Sequence, residues 1–247
     1  MKRYMKKSPR LIMLAVILLC GCGTDDALKE TQQDSIIVQW ESPQDVQMEN
    51  QGMDETLCRE LQKSMVLVDT GELCGSGLIW EYEEDMVIVT AGHVLEELSG
   101  AIYVTLSDGY TITADLYWIC TNSDLAFLKI EGERIPKLHI EHYGVVSHRD
   151  EYFNKAKQED VLYAMGYRGQ ADALVVQGTL EDKWVYVEAF EQFMVLVRAE
   201  TVQGMSGGGL LNESGECIGI ICGTDQAGRT VAVPSQVVDA ELISLYW

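Results

Sequence analysis

The sequence is short of basic side chains: 18 Lys and Arg stand against 39 Asp and Glu in 247 residues, a net charge of −21. A surface of that sign repels nucleic acid phosphates and anionic lipid headgroups, so no nucleic acid partner is expected. Most of the acidic residues are read as a solvated surface that keeps the chain soluble. Seven cysteines include no C-x-x-C spacing. Beyond residue 22 five remain, Cys58, Cys74, Cys120, Cys217 and Cys222, an odd set that cannot pair completely. Their default role is that of small buried apolar groups. A membrane-spanning run of roughly 20 apolar residues is also missing; LIMLAVILL, Leu11 to Leu19, stops well short of it. What is present is a 47% apolar composition, enough to bury the core of one large β domain or two small ones, which excludes disorder throughout.

The short apolar run follows Lys2, Arg3, Lys6, Lys7 and Arg10, the charged and apolar regions of an export signal. Leu19-Cys20-Gly21-Cys22 comes next and resembles the lipobox of bacterial lipoproteins, which implies cleavage before Cys22 and lipidation of it. Cys20 inside the box departs from the commonest pattern. Two or more acyl chains would hold the product stably at a membrane surface. Loss of residues 1 to 21, with five basic and no acidic side chains, would take the net charge from −21 to −26. Residues 23–58 are polar, with little sustained periodicity apart from SIIVQW, and read as a tether.

From Met65 onward the pattern is β-type. MVLVD, GLIWEY, MVIVTA, IYVTL, YTITADLYWI and LAFLKI form one set; VLYAMGY, ALVVQGTL, WVYVEAF, FMVLVRA, GLLN, CIGIICG and RTVAVP form another. Residues 83–85 and 107–109 suit hairpin turns. Six or seven strands per half without a repeated helical period argue for an all-β fold, paired barrels or a sandwich. The polar stretch 131–160 reads as a crossing loop. SQVVDAELISLYW at the end fits a helix with Ser235 as N-cap and Val238, Leu242 and Leu245 on one face.

Three separate segments carry chemistry. VTAGHV puts His93 at the end of an apolar strand, NSDLAFLKI puts Asp124 just before another, and QGMSGGGL supplies Ser206 among glycines. A serine hydroxyl is a weak nucleophile at neutral pH, so a neutral imidazole must take its proton. That imidazole must in turn be oriented, and its transient charge stabilised, by a carboxylate. Together the segments resemble the trypsin-like serine peptidases, and in particular the bacterial Do-like (HtrA-type) branch, over about residues 65–240. The chain order His, Asp, Ser agrees with the chymotrypsin type. GSGLIW (75–80), YAMGY (163–167) and VVQGTL (175–180) resemble further segments of that branch.

The resemblance implies two six-stranded antiparallel β-barrels, about 62–135 and 156–234, and a C-terminal helix at 235–246, within a peptidase domain at 59–247 that follows a signal at 1–22 and the tether. It implies His93, Asp124 and Ser206 as the catalytic triad and Gly204, Met205 and Ser206 as the oxyanion-hole segment, with the N–H groups of Gly204 and Ser206 as donors. Glu200 stands six residues before Ser206, where trypsin carries its pocket acid, and would favour Lys or Arg; the plainer reading is a surface-loop glutamate. Gln203, Cys222, Gly223 and Thr224 complete the substrate-binding set, with substrate adding as a strand. The expected reaction is endopeptidase hydrolysis of a polypeptide through an acyl-enzyme, without a cofactor.

Departures accompany the match. Met205 replaces the Asp that in trypsin pairs with a freed N-terminus, so activation by that ion pair is unavailable. Gly209 and Arg168 replace prolines, which is expected to loosen local turns. Because the chain ends at Trp247 after the helix, no PDZ domain is expected. His139, His142 and His148 have a loop spacing too weak for a metal site and read as exposed linker histidines. The rival function is a catalytically silent protease fold that binds peptides as a sensor lipoprotein.

Overall fold

The computed structural model describes residues 48–82, 85–96, 98–120, 122–130, 144–169 and 172–246. The export segment, Cys22, most of the stretch read as tether, His139 and His142 lie outside these residues. The first described elements are β1 (Met48–Asn50) and α1 (Glu55–Gln62). Asp54 caps the helix by accepting from the N–H groups of Thr56 and Leu57, the side-chain satisfaction that free helical donors require. Both elements reach into the stretch read as tether.

Six strands close the first barrel: β2 (Met65–Asp69), β3 (Cys74–Tyr82), β4 (Asp85–Ala91), β5 (Ile102–Thr105), β6 (Thr111–Cys120) and β7 (Leu125–Lys129). Their order is β2-β3-β4-β7-β6-β5, and β5 pairs back onto β2. The segment read as a crossing loop contains β8 (Ser147–His148) and α2 (Asp150–Lys155). The second barrel follows with β9 (Val161–Arg168), β10 (Asp172–Val187), β11 (Gln192–Arg198), β12 (Gly209–Asn212), β13 (Glu216–Thr224) and β14 (Thr230–Pro234). It runs β10-β11-β14-β13-β12-β9 and closes where β9 pairs with β10. The expected pair of six-stranded antiparallel barrels is therefore what the chain forms. Two strands outside the expected set, β1 on β10 and β8 on β13, join it in parallel.

Side-chain alternation explains why so many strands read as continuous apolar runs. In β2, Val66 and Val68 fill the first barrel while Met65 and Leu67 face a third cluster shared by both barrels. β7 divides the same way, with Ala126 and Leu128 inside and Leu125 and Phe127 in the shared cluster. In β9, Leu162 and Ala164 enter the second barrel, and Tyr163, Met165 and Tyr167 join the shared cluster. Strands buried on both faces lose the polar alternation of a half-wet sheet. β6 keeps that alternation: Ile112 and Ala114 are buried, and Thr111, Thr113 and Asp115 are exposed. The long β10 is likewise wet toward its end, where exposed Trp184 stacks on Phe193 at 5.6 Å and Tyr186 meets the same ring at 5.5 Å.

The last helix, α3 (Ser235–Tyr246), buries Val238 and Leu242 in the shared cluster, with Leu245 packed against it. Ser235 is the first helical residue and not the cap, and its buried hydroxyl has no hydrogen-bond partner among the described residues. His148 is no exposed linker residue. Its ring stacks on Trp80 at 3.8 Å, Nε2 lies 2.9 Å from the Glu81 carbonyl, and Nδ1 lies 3.3 Å from Asp239. A polar stretch hid this contact because one ring meeting a buried Trp leaves no periodic signal. Four of the cysteines, Cys58, Cys120, Cys217 and Cys222, are buried as small core groups.

Candidate active site

His93 lies on a single 3₁₀ turn, Gly92–Leu95, that follows β4. Asp124 precedes β7 in a left-handed backbone conformation, φ 47°. Asp124 Oδ1 accepts the His93 N–H at 2.9 Å, and the Asp124 carbonyl accepts the Gly92 N–H at 2.9 Å. The imidazole Nδ1 lies 3.0 Å from Oδ2 and 3.2 Å from Oδ1. One carboxylate thus grips both the backbone and the ring of the histidine. Burial acts to lower the His93 pKa, but the hydrogen bond and charge of Asp124, helped by Glu96, outweigh it and leave the imidazole above its ordinary value.

Ser206 belongs to the loop between β11 and β12. Gly207 beside it has φ +88°, and a Cβ there would collide with the Ser76 carbonyl and approach the Ala91 nitrogen to 2.9 Å. Only glycine fits a position with both restrictions. Gly204 has φ +98°, and a Cβ would sit 2.8 Å from the Tyr167 carbonyl. The Met205 N–H donates to the Val202 carbonyl at 3.2 Å, so that amide is engaged. The Gly204 and Ser206 N–H groups have no acceptor among the described residues. Two amides flanking one buried residue are thereby unengaged, the type of donor that an oxyanion hole requires.

The Met205 side chain is fully buried in the second barrel's core. Burial of an apolar side chain anchors the loop at this position. Gly209 does not loosen its turn either: it opens β12 and pairs with Met165 and Ile220. Arg168 ends β9 and pairs with Glu49 at 3.2 Å and Asp172 at 3.5 Å.

The hydroxyl of Ser206 donates to the Cys222 carbonyl at 3.4 Å, and among the described residues neither it nor His93 Nε2 makes a hydrogen bond to the other. Cys222 touches Ser206 and Asp124: its carbonyl accepts the Ser206 hydroxyl, and its Sγ lies 4.0 Å from the Asp124 carbonyl. Burial, followed by the Asp124 charge, raises that thiol well above its ordinary value, so it stays neutral beside the carboxylate. Of the expected substrate-binding residues, Glu200, Gln203 and Thr224 are exposed, Gly223 is half-buried and Cys222 is buried.

Ser76, in the segment GSGLIW, is a site residue that the sequence pattern does not single out. Its fully buried hydroxyl donates to the Gly204 carbonyl and accepts the Tyr167 N–H, both at 2.7 Å, and its own N–H donates to the Ser206 carbonyl at 2.7 Å. A lone hydroxyl between two glycines in an otherwise apolar strand was the available signal.

A family model described as trypsin-like peptidase domain matches residues 75–220. The chain belongs to that family. The match includes His93, Asp124 and Ser206 and spans both barrels. Among curated relatives, a probable periplasmic serine endoprotease DegP-like of Chlamydia trachomatis is 32% identical over 149 residues, covering 59% of this chain and 27% of that protein. The serine protease Do-like HtrB of Bacillus subtilis is 31% identical over 152 residues, covering 59% of this chain and 31% of that one. The chain thus spans about a third or less of the length of the curated relatives it matches. Among solved structures, a serine endoprotease from Yersinia pestis aligns with a TM-score of 0.61 at 24% identity, covering 76% of this chain and 65% of that one. The HtrA-type protease AlgW with tripeptide aligns with a TM-score of 0.64 at 21% identity, covering 76% and 61%. At those identities the likeness is one of fold.

Replacing Ser76 by alanine strands a buried carbonyl and a buried N–H at once. Ser76→Ala should cost about 1–3 kcal/mol of stability, read as a lower urea midpoint.

Proposed function

We propose that this chain is an exported serine endopeptidase, held at the extracytoplasmic face of a membrane by a lipid on Cys22, with residues 59–247 as its peptidase domain. The observation that carries the reading is the doubly anchored His93–Asp124 pair together with a Ser206 whose own N–H, like that of Gly204, has no acceptor among the described residues. Family membership and the names of the curated relatives support it. Polypeptides are the substrates, and the acidic surface disfavours nucleic acid.

In this mechanism the Ser206 hydroxyl turns from the Cys222 carbonyl toward His93 Nε2. As Oγ attacks the peptide carbonyl carbon, its proton passes to the neutral imidazole, and the resulting imidazolium is stabilised by Asp124. The tetrahedral oxyanion is held by the Gly204 and Ser206 N–H groups. The imidazolium gives its proton to the leaving amine as the C–N bond breaks, which leaves an ester on Ser206. Water, deprotonated by His93, then attacks that ester, and the departing Ser206 oxygen regains its proton. Gln203, Cys222, Gly223 and Thr224 flank the peptide. Exposed Glu200 supplies a solvent-screened preference for basic residues at the cleavage position.

A second reading is a peptide-binding module that does not cut. It is favoured by one observation, the Ser206 hydroxyl bonded to a carbonyl instead of the imidazole. Apo sites commonly tighten this link only when substrate arrives.

A fluorophosphonate probe should label the folded protein, and Ser206→Ala should abolish the labelling; absence of labelling on wild type would favour the module. A second expectation concerns pH. His93 must be neutral to accept a proton, and its contacts favour the protonated form, so kcat/KM should be lost as pH falls through an apparent pKa above the ordinary histidine value of 6.5. A profile flat from pH 5 to 9 contradicts His93 as base. For Glu200, an exposed charge is worth about 0.2–1 kcal/mol. Glu200→Gln should therefore lower cleavage after Lys and Arg by about 1.4-fold to fivefold while leaving cleavage after Val and Ala unchanged; equal effects on both remove its role.

A further inference from the structure

Asp124 is one of three non-glycine residues with positive φ among the described residues, the others being Glu159 and Glu191. A non-glycine residue with φ near +47° is strained by about 1–3 kcal/mol and persists only where its surroundings over-determine it. Two of its restraints, the Gly92 and His93 N–H groups, come from its own barrel. The residue immediately before it, Ser123, is 3% exposed, and its hydroxyl donates to Glu241 Oε1 at 2.7 Å. Glu241 lies on α3, the helix that follows the last strand of the second barrel. This contact crosses 118 residues of sequence to reach the turn that presents the carboxylate to His93.

The helix is well fixed at that point. Val238 and Leu242 flank Glu241 and are fully buried in the cluster shared by the barrels, so the helix backbone from which the carboxylate reaches is fixed. Cys120 is the other group in contact with it. Burial first, and then the charge of Glu241, push that thiol up to about 12, so it stays protonated and is a second, weaker donor to the carboxylate beside the Ser123 hydroxyl.

We propose that Glu241 is a positioning residue for the catalytic pair: through Ser123 it holds the Asp124 turn, so the C-terminal helix sets the orientation of the His93 imidazole. The inference rests on the reading of His93 and Asp124 as base and orienting acid. Asp239, two residues away on α3, provides the contrast. It accepts the Trp80 indole N–H at 3.1 Å and faces His148 at 3.3 Å, so it ties the helix to the first barrel without touching the Asp124 turn.

The test uses the full chain with isotope-labelled histidine, following the His93 ring by NMR across pH and assigning it with His93→Gln. Around that ring the charged groups are Asp124 and Glu96. Ser123→Ala and Glu241→Ala should each move the His93 titration, and the acid limb of kcat/KM, to lower pH. Each should also lower kcat about tenfold with KM changed less than twofold, as a slightly misplaced catalytic group does. Glu241→Gln keeps an oxygen that can accept from Ser123 and should stay within about threefold of wild type, since the hydrogen bond survives without its charge. Asp239→Asn should lower the melting temperature and leave the His93 titration where it was. An unmoved titration in both folded Ser123→Ala and folded Glu241→Ala overturns the proposal, even if kcat falls. Should Glu241→Ala not fold, Ser123→Ala and Glu241→Gln decide. The NMR readout needs no turnover, so an unlabelled, inactive wild type would sink the endopeptidase reading alone.

Discussion

The Ser76 hydroxyl donates to Gly204 and accepts from Tyr167, while its own amide holds Ser206, and all of this takes place without access to water. The placement of the Ser206 loop against the first barrel depends on that crossing. Ser76 belongs to β3 of the first barrel, whereas its three partners belong to the second. An unsatisfied buried polar group costs free energy that nothing nearby would offset, so the barrels have one favourable register at this point. The apolar cluster around it supplies the attraction but little direction, because hydrophobic burial scales with area and not with angle. Direction comes from the hydrogen bonds.

The loop that carries Ser206 is stabilised by a different physical principle from the one that holds His93. Met205 anchors it by burial in the second barrel, while His93 is held by charge and hydrogen bonding to Asp124. The apolar anchor is insensitive to pH, whereas the contacts of His93 change with protonation. Because its contacts raise the imidazole pKa, they contribute stability that is complete below the ordinary histidine value and fades as pH rises through the folded-state value. Acid therefore tightens the pair while placing a proton on the imidazole's other nitrogen.

Much of the frame was legible in the sequence because barrels built from short strands leave turn signals at regular intervals, and both closed barrels follow the runs read from Met65 onward. The three chemical segments were legible because glycine crowding, a strand-end histidine and a turn aspartate each depend on local backbone demands. Contacts made by a single side chain across a long separation were not. Ser123 with Glu241, and His148 with Trp80, join partners that share no local pattern. The crossing segment looked like a loop because α2 is only six residues long and buries Phe153 alone among its residues. Ser235 was mistaken for a cap because the helix begins one residue earlier than a cap allows, a boundary shift that composition cannot resolve.

One feature of the barrel strands reaches beyond the site. β2, β7 and β9 have a core on either side, so a one-residue slip in register would exchange two apolar sets without exposing either. In such strands greasiness alone does not choose the pairing, and shape must do so. These strands offer evolution no idle side. Neutral drift has room mainly on the water-facing half of β6 and on the aromatic hairpin beyond Leu180, where a changed residue meets solvent and disturbs one core at most.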